Sequence, residues 1–161
     1  MNWRQIDFKK LVISIALCQI TGILGGIFTY NSISTWYASL VKPYFVPPGW
    51  LFSVVWPLLY LLMGIAFYII WQKGWQIRKV RTAMYVFSIQ LFLNLLWSIL
   101  FFGLRSPFMG LIDIVLLWIV IVLNIVLFYR ISKPAGMLLV PYILWVSFAT
   151  MLNYSIMILN L

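Results

Sequence analysis

Five long apolar runs, separated by short polar linkers, dominate the chain. They cover residues 11–30, 50–71, 82–104, 107–129 and 134–161, and the only charged residue inside them is Asp113. Each run reaches the roughly 20 residues that a helix needs to cross a bilayer. The runs are too long for strands of a membrane barrel, and their polar and apolar positions do not alternate. The pattern predicts a single-domain all-α integral membrane protein, a bundle of five transmembrane helices.

We place these helices at about residues 8–30, 50–72, 82–104, 107–129 and 134–160. The composition agrees, since 65% of the residues are hydrophobic, 8% are charged and the mean hydropathy is +1.08. A water-soluble domain needs more charge to cover its surface. The linkers leave no room for a soluble catalytic or nucleic-acid-binding module, so the net charge of +9 does not indicate a nucleic-acid partner.

The basic residues are distributed unequally between the two sides of the predicted membrane. Only Lys42 and Arg105 lie on one side. Nine lie on the other: Arg4, Lys9, Lys10, Lys73, Arg78, Lys79, Arg81, Arg130 and Lys133. Because cytoplasmic loops carry the excess of Lys and Arg, we predict a cytoplasmic N-terminus and an outside C-terminus, in a prokaryotic cell membrane.

The residues that usually bind metals are scarce. The chain has one cysteine, Cys18, and no histidine. An internal disulfide, the usual zinc sites, the common haem proximal ligand and a histidine acid–base catalyst are therefore excluded. We expect no metal site, no cofactor and no conventional catalytic constellation.

Polar and aromatic residues recur at helical spacing on three of the predicted helices. On the third, Gln90, Asn94 and Trp97 share one face with Phe101. This stripe has two compatible interpretations, interhelical hydrogen bonding and contact with a ligand. Similar stripes occur on the second and fifth helices: Trp56, Tyr60, Gly64 and Phe67, and Pro141, Trp145, Ala149 and Asn153.

Two prolines and one acid predict local features of these helices. We expect Pro57 to end or distort the first turn of the second helix and Pro141 to kink the fifth. Asp113 is the only acid within a span, and an intramembrane carboxylate is a candidate functional residue. Our preferred interpretation is structural, an ion pair with Arg105 that ties the fourth helix to the preceding loop.

Small residues line one face of the first helix, and a stiff loop follows it. Ser14, Cys18, Gly22, Gly25 and Thr29 indicate close helix packing, either inside the bundle or between protomers. The loop at residues 31–49 contains Pro43, Pro47 and Pro48, which restrict its backbone. We interpret the loop as a preorganised lid that controls ligand access, with a rigid connector as the alternative.

Five segments carry a family resemblance when taken in order. They are "WYASLVKPYFVPPGW", "WPLLY", "QLFLNLLWSILFFG", "LID" and "PYILWVSFATMLNY". Together they resemble the translocator protein family, also called tryptophan-rich sensory proteins, over about residues 8–160. The resemblance implies a five-helix bundle, often a homodimer, with a pocket beneath the first loop. It also implies binding of porphyrins such as protoporphyrin IX, and in many members of sterols and benzodiazepine-type ligands.

The resemblance and the stripes together give a set of candidate ligand-binding residues. Asp113 matches the acid of the family's fourth helix. We assign Asp113 a structural role, as we do Arg105, Pro47 and Pro48. The ligand-binding candidates are Tyr37, Trp50, Trp56, Tyr60, Gln90, Asn94, Trp97, Trp145 and Ala149.

The resemblance leaves three classes of function open. We place binding and sensing of a porphyrin or another flat hydrophobic molecule first. Light-dependent porphyrin breakdown, with Trp56 and Trp145 as candidate reactive residues, is the second. Transport of tetrapyrroles, sterols or lipids is the third. A proposed sterol motif of animal members is incomplete here, because no basic residue follows Leu152 and Tyr154.

Overall fold

The computed structural model describes residues 6–161, so Arg4 lies outside the described residues. All regular secondary structure in the described part is helical. In chain order the elements are α1 (Phe8–Ile33), α2 (Trp36–Ser39), α3 (Gly49–Trp71), α4 (Arg78–Ser98), a π-helical extension of α4 (Ile99–Gly103), α5 (Pro107–Ile131), α6 (Lys133–Met137) and α7 (Val140–Leu159). Five segments are long and apolar enough to cross a membrane. The prediction of an all-α integral membrane protein with five spans is confirmed.

The two ends of the bundle differ in the linkers that they carry. The lid, residues 34–48, joins α1 to α3 and contains α2. The end of the bundle that carries it is the lid end. The opposite end carries the linkers after α3 and α5 and is the basic end, because most of the lysines and arginines lie there. Helix α1 packs against α3 and α4, α4 packs against α5, and α5 packs against α7.

Some helices extend beyond their predicted bounds. Helix α1 continues to Ile33, and α4 begins at Arg78 rather than four residues later. A helix can include basic residues at its end, because their long side chains bring the charge to the membrane surface. Ser106 caps α5 by accepting a hydrogen bond from the Met109 amide at 3.3 Å. Because α4 includes Arg78 and α5 continues to Ile131, past Arg130, the length of an uncharged run underestimates the length of its helix.

The two helix prolines behave differently from the prediction. Helix α3 runs unbroken through Pro57, so the prediction that this proline ends the first turn is wrong. The helix begins directly after Pro48, which leaves Pro57 two turns inside, where α1 packs against it. Pro141 lies in the first turn of α7, where a missing N–H costs little. Instead of a kink in one helix, there is a break between α6 and α7 at Leu138 and Leu139.

The basic end is closely packed around stacked aromatic rings. Phe87 lies between Phe67 and Phe128, with ring centroids 4.8 Å and 5.6 Å away, and Phe87 and Phe128 are fully buried. The predicted small-residue face of α1 packs within the bundle. A Cβ added at Gly25 would lie 2.8 Å from the Ser98 hydroxyl. The stacked rings fill the basic end, and a cavity lies toward the lid end.

Candidate functional site

A cavity of about 430 Å³ occupies the lid half of the bundle. This volume lies within the range of small-molecule sites in proteins. Residues of α1, the lid, α3, α4 with its π-helical extension, and α7 line it, and none of them is charged. Six of the nine predicted ligand-binding residues are among them: Tyr37, Trp56, Tyr60, Asn94, Trp97 and Ala149.

A hydrogen-bonded network forms the floor of the cavity. The Tyr60 hydroxyl donates to Asn94 Oδ1, and Asn94 Nδ2 donates to the Tyr142 hydroxyl at 2.8 Å. These bonds join α3, α4 and α7 and fix the orientation of the Asn94 amide. A carboxamide has two N–H donors and two acceptor lone pairs. Asn94 therefore keeps one donor and one lone pair free at a wall that is otherwise mostly apolar.

A column of nearly parallel aromatic rings forms one wall. Trp56 stacks on Tyr60 at 5.9 Å and 30°, and on Trp97 at 6.4 Å and 28°. Trp97 continues onto Phe101 at 5.3 Å and 21°. The Trp97 indole N–H donates to Asn153 Oδ1 at 3.1 Å, which holds the ring in place. All four rings line the cavity, so this wall is aromatic and rigid.

The lid closes the cavity at its membrane-surface end. Tyr37 on α2 lines the cavity and packs on Phe101 and Phe102, with centroids 6.3 Å and 5.6 Å away. Burial raises the pKa of the Tyr37 phenol. Asn160, next to the last residue, holds the lid from α7. Its side chain accepts from the Val41 amide at 2.9 Å and donates to the Val41 carbonyl at 2.9 Å.

Comparison with known proteins agrees with this architecture. The family model described as "TspO/MBR family" matches residues 14–159. The chain belongs to the TspO/MBR family. It is 50% identical to the tryptophan-rich protein TspO of Chlorobaculum tepidum over 150 residues, 93% of this chain and 95% of that one. It is 49% identical to TspO of Archaeoglobus fulgidus over 156 residues, 96% and 99% of the two chains. It is also 35% identical to the human translocator protein over 134 residues, 83% and 79% of the two chains. The resemblance stated from the sequence motifs is therefore confirmed.

Three predicted ligand-binding residues of this TspO/MBR protein lie outside the cavity lining. Trp50 is 65% exposed at the start of α3. Gln90 is fully buried and accepts a hydrogen bond from Asn124 Nδ2 at 2.9 Å. Trp145 lies behind Trp56, edge-to-face at 6.4 Å and 88°, and its buried indole N–H has no hydrogen-bond partner. The two interpretations of the α4 stripe therefore apply to different residues. Gln90 forms an interhelical hydrogen bond, whereas Asn94 lines the cavity.

The predicted ion pair between Asp113 and Arg105 is wrong. Asp113 is 3% exposed on the inner face of α5, whereas Arg105 is exposed in the turn before that helix with a φ of 53°. The only ion pair within residues 6–161 joins Lys10 to Asp7 at 3.5 Å. The turn directs Arg105 away from the bundle, while helical periodicity turns Asp113 into it. No group of three or more potential metal ligands occurs among the same residues.

The TspO/MBR cavity also includes residues that were not predicted to bind a ligand. Ser53 lines it one helical turn before Pro57, and Gly26 and Gly49 line it with bare backbone. The sequence did contain a signal for Ser53, since it lies four residues before Pro57. Pro57 has no N–H to donate to the Ser53 carbonyl, which leaves that carbonyl without its usual helical partner. Asn160 had no signal, since its role depends on where the lid meets the end of α7.

Proposed function

We propose that this TspO/MBR protein is a membrane receptor or sensor that binds a porphyrin, such as protoporphyrin IX, or another flat hydrophobic molecule in the cavity. Family membership supports the receptor or sensor role, and one relative, 30% identical over 155 residues, is named tryptophan-rich sensory protein. The observation that carries the ligand class is the ring column of Trp56, Tyr60, Trp97 and Phe101 along one wall.

The chemistry of the cavity suits such a ligand. Flat π-surfaces stack on aromatic side chains, and each pair contributes about 1 kcal/mol beyond the area it buries. The free donor of Asn94 suits a ring nitrogen or a carboxylate at the ligand edge. Since the chain has no histidine, the common axial ligand of haem iron is missing, which favours a metal-free porphyrin.

Titration with protoporphyrin IX in lipid nanodiscs, followed by tryptophan quenching, tests this proposal. We expect Trp56→Leu to weaken binding about fivefold, because one stacking pair of about 1 kcal/mol is lost. Trp50→Leu is the matched control, since Trp50 is exposed outside the cavity, and its affinity is expected to equal that of the wild type. Equal affinities for all three proteins would contradict the assignment of this cavity.

A second candidate function is light-dependent oxidation of the bound porphyrin by dioxygen. The contacts from Trp97 to Trp56 and from Trp56 to Trp145, each at a centroid distance of 6.4 Å, favour it because they connect the cavity wall to a second, half-buried indole. Illumination of the complex in air tests it. A new absorption spectrum in the wild type that Trp145→Phe lacks would support this activity, and bleaching at the rate of free porphyrin would reject it.

We further propose the orientation predicted from the charges, with the N-terminus in the cytoplasm and the lid outside a prokaryotic cell membrane. Reporter enzymes fused to the two termini test it, since periplasmic and cytoplasmic reporters are active on opposite sides. A periplasmic signal from the N-terminal fusion would reverse the assignment. The homodimer implied by the family resemblance stays a prediction, for which the exposed face of α1 is available.

A further inference from the structure

The cavity is sealed at the basic end. A Cβ added at Gly22 would lie 2.5 Å from the Tyr60 ring, and one added at Gly64 would lie 2.8 Å from the Ile15 Cα. Helices α1 and α3 are therefore in direct contact in this half. The hydrogen bonds from Tyr60 to Asn94 and from Asn94 to Tyr142 close the floor between α3, α4 and α7.

The lid packs over the cavity at the lid end. Trp36, Tyr37, Leu40, Phe45 and Val46 of the lid pack against one apolar cluster formed by Phe101, Phe102, Leu152 and Ile156. Two hydrogen bonds between Asn160 and the Val41 backbone join the end of α7 to the lid, and a local bond from Asn160 Nδ2 to the Ile156 carbonyl at 2.8 Å holds this side chain in place. The lid therefore covers the cavity on the side of α4 and α7, and the exposed lining residues of this end, Tyr30 and Gly49, belong to α1 and α3.

The side between α1 and α3 is open. Toward the lid end the contact seen at Gly22 is lost, since a Cβ added at Gly26 or at Gly49 would meet no atom within 4 Å. Gly26, Ser53 and Pro57 line the cavity and are exposed on the bundle surface as well. All three lie within the membrane-spanning segments Phe8–Ile33 and Gly49–Trp71, so the surface on which they are exposed faces lipid.

We propose that Gly26, Ser53 and Pro57 frame a lateral window through which the cavity exchanges its ligand with the hydrocarbon interior of the bilayer. This inference rests on the proposed function and deepens it by naming the route by which the ligand enters and leaves. It moves the access route from the lid, as predicted from the sequence, to the α1–α3 cleft. The lid then acts as a fixed cover.

The polar groups at the window fit this role. Pro57 has no N–H to donate to the carbonyl of Ser53, so that carbonyl lacks its usual helical partner. Gln19 Nε2 donates to the Pro57 carbonyl at 3.0 Å and marks the lower border of the window. Because unsatisfied polar groups are costly in lipid, the Ser53 carbonyl and hydroxyl favour a lipophilic ligand that carries a hydrogen-bond donor or acceptor.

Ligand exchange rates in nanodiscs test the window, with protoporphyrin IX as the probe. Gly26→Leu places a side chain at the opening, where an added Cβ meets no atom within 4 Å, and leucine favours a helix more than glycine. We expect both the association and the dissociation rate to fall at least fivefold. If Gly26→Leu only reduced the volume of the cavity, the dissociation rate of the probe would rise instead of falling. Asn160→Ala loosens the lid, and its rates are expected to stay within twofold of the wild type. An unchanged or faster dissociation rate in Gly26→Leu, or faster exchange only in Asn160→Ala, would overturn the proposal.

A second measurement does not depend on porphyrin binding. An apolar diazirine dissolved in the bilayer is photolysed, and labelled residues are mapped by mass spectrometry. We expect labelling of Trp56 in the cavity and of Leu58, which is 53% exposed on the same helix. Gly26→Leu should reduce the labelling of Trp56 at least fivefold and leave that of Leu58 unchanged. Labelling of Leu58 without Trp56 in the wild type would overturn the window. Normal labelling without porphyrin binding would reject the proposed ligand and keep the window.

Discussion

Asn94 joins three helices in the floor of the cavity, so replacing it tests whether this network stabilises the bundle. Asn94→Leu removes the bonds to the hydroxyls of Tyr60 and Tyr142, which are 6% and 0% exposed as residues. Interhelical hydrogen bonds in membrane proteins contribute about 0.6 kcal/mol on average and about 1.7 kcal/mol at most. With two bonds lost and two buried hydroxyls left without Asn94, we expect the free energy of unfolding to fall by about 1 to 3 kcal/mol.

The assay is SDS-induced unfolding of the protein in bicelles, followed by circular dichroism. Tyr60→Phe removes one of the two bonds and is expected to show about half the loss. The double variant Gln90→Leu/Asn124→Leu is the matched control, because it removes both members of another buried pair, including two atoms without partners. It should be neutral or stabilising. If Asn94→Leu unfolds like the wild type, or the control loses as much, the network does not stabilise the bundle.

Three further predictions concern packing, the lid and pH. Gly64→Ala is expected to lower the free energy of unfolding by about 1–3 kcal/mol, because its Cβ would lie 2.8 Å from an α1 backbone carbon. In the same SDS assay Gly26→Ala should be neutral or stabilising, because its Cβ would have no neighbour within 4 Å. Asn160→Ala should accelerate hydrogen exchange of the Val41 amide, which loses its acceptor; unchanged exchange would contradict the attachment of the lid. Burial raises the pKa of Tyr37, so the folded lid favours the neutral phenol. The stability that the neutral Tyr37 phenol gives the lid should be complete below about pH 10 and be lost as pH rises through the raised pKa. Hydrogen exchange of the lid should therefore accelerate at high pH in the wild type, and Tyr37→Phe should abolish this pH dependence.

The apolar runs were sufficient to predict the five spans, because a bilayer imposes a minimum length and forbids unpaired backbone. They were not sufficient for the helix ends. The break at Leu138 and Leu139 lies inside a continuous apolar run, and only Pro141 marks its neighbourhood. Arg78 belongs to a helix although it is charged. Hydropathy reports what contacts lipid, and it does not report where the backbone changes direction.

Helical periodicity predicted the faces of the site but not its depth. Gln90 and Asn94 share one face of α4, and both are buried, yet only Asn94 lines the cavity. One helical turn, about 5.4 Å, separates the packed part of the bundle from the hollow part. Trp145 likewise faces inward but lies behind Trp56. Which of two inward residues touches a ligand depends on the neighbouring helices, and a single helix pattern does not contain that information.

The glycines of α1 show how one helix pair provides both contact and access. Gly22 and Gly25 are required by packing, because a Cβ at either position would lie within 2.8 Å of a side chain. Gly26 has no such neighbour, and glycine in a helix costs about 1 kcal/mol relative to alanine. Neither packing within the bundle nor helix propensity explains glycine at this position. The opening between α1 and α3 does, because a side chain there would project into the path between lipid and the aromatic wall.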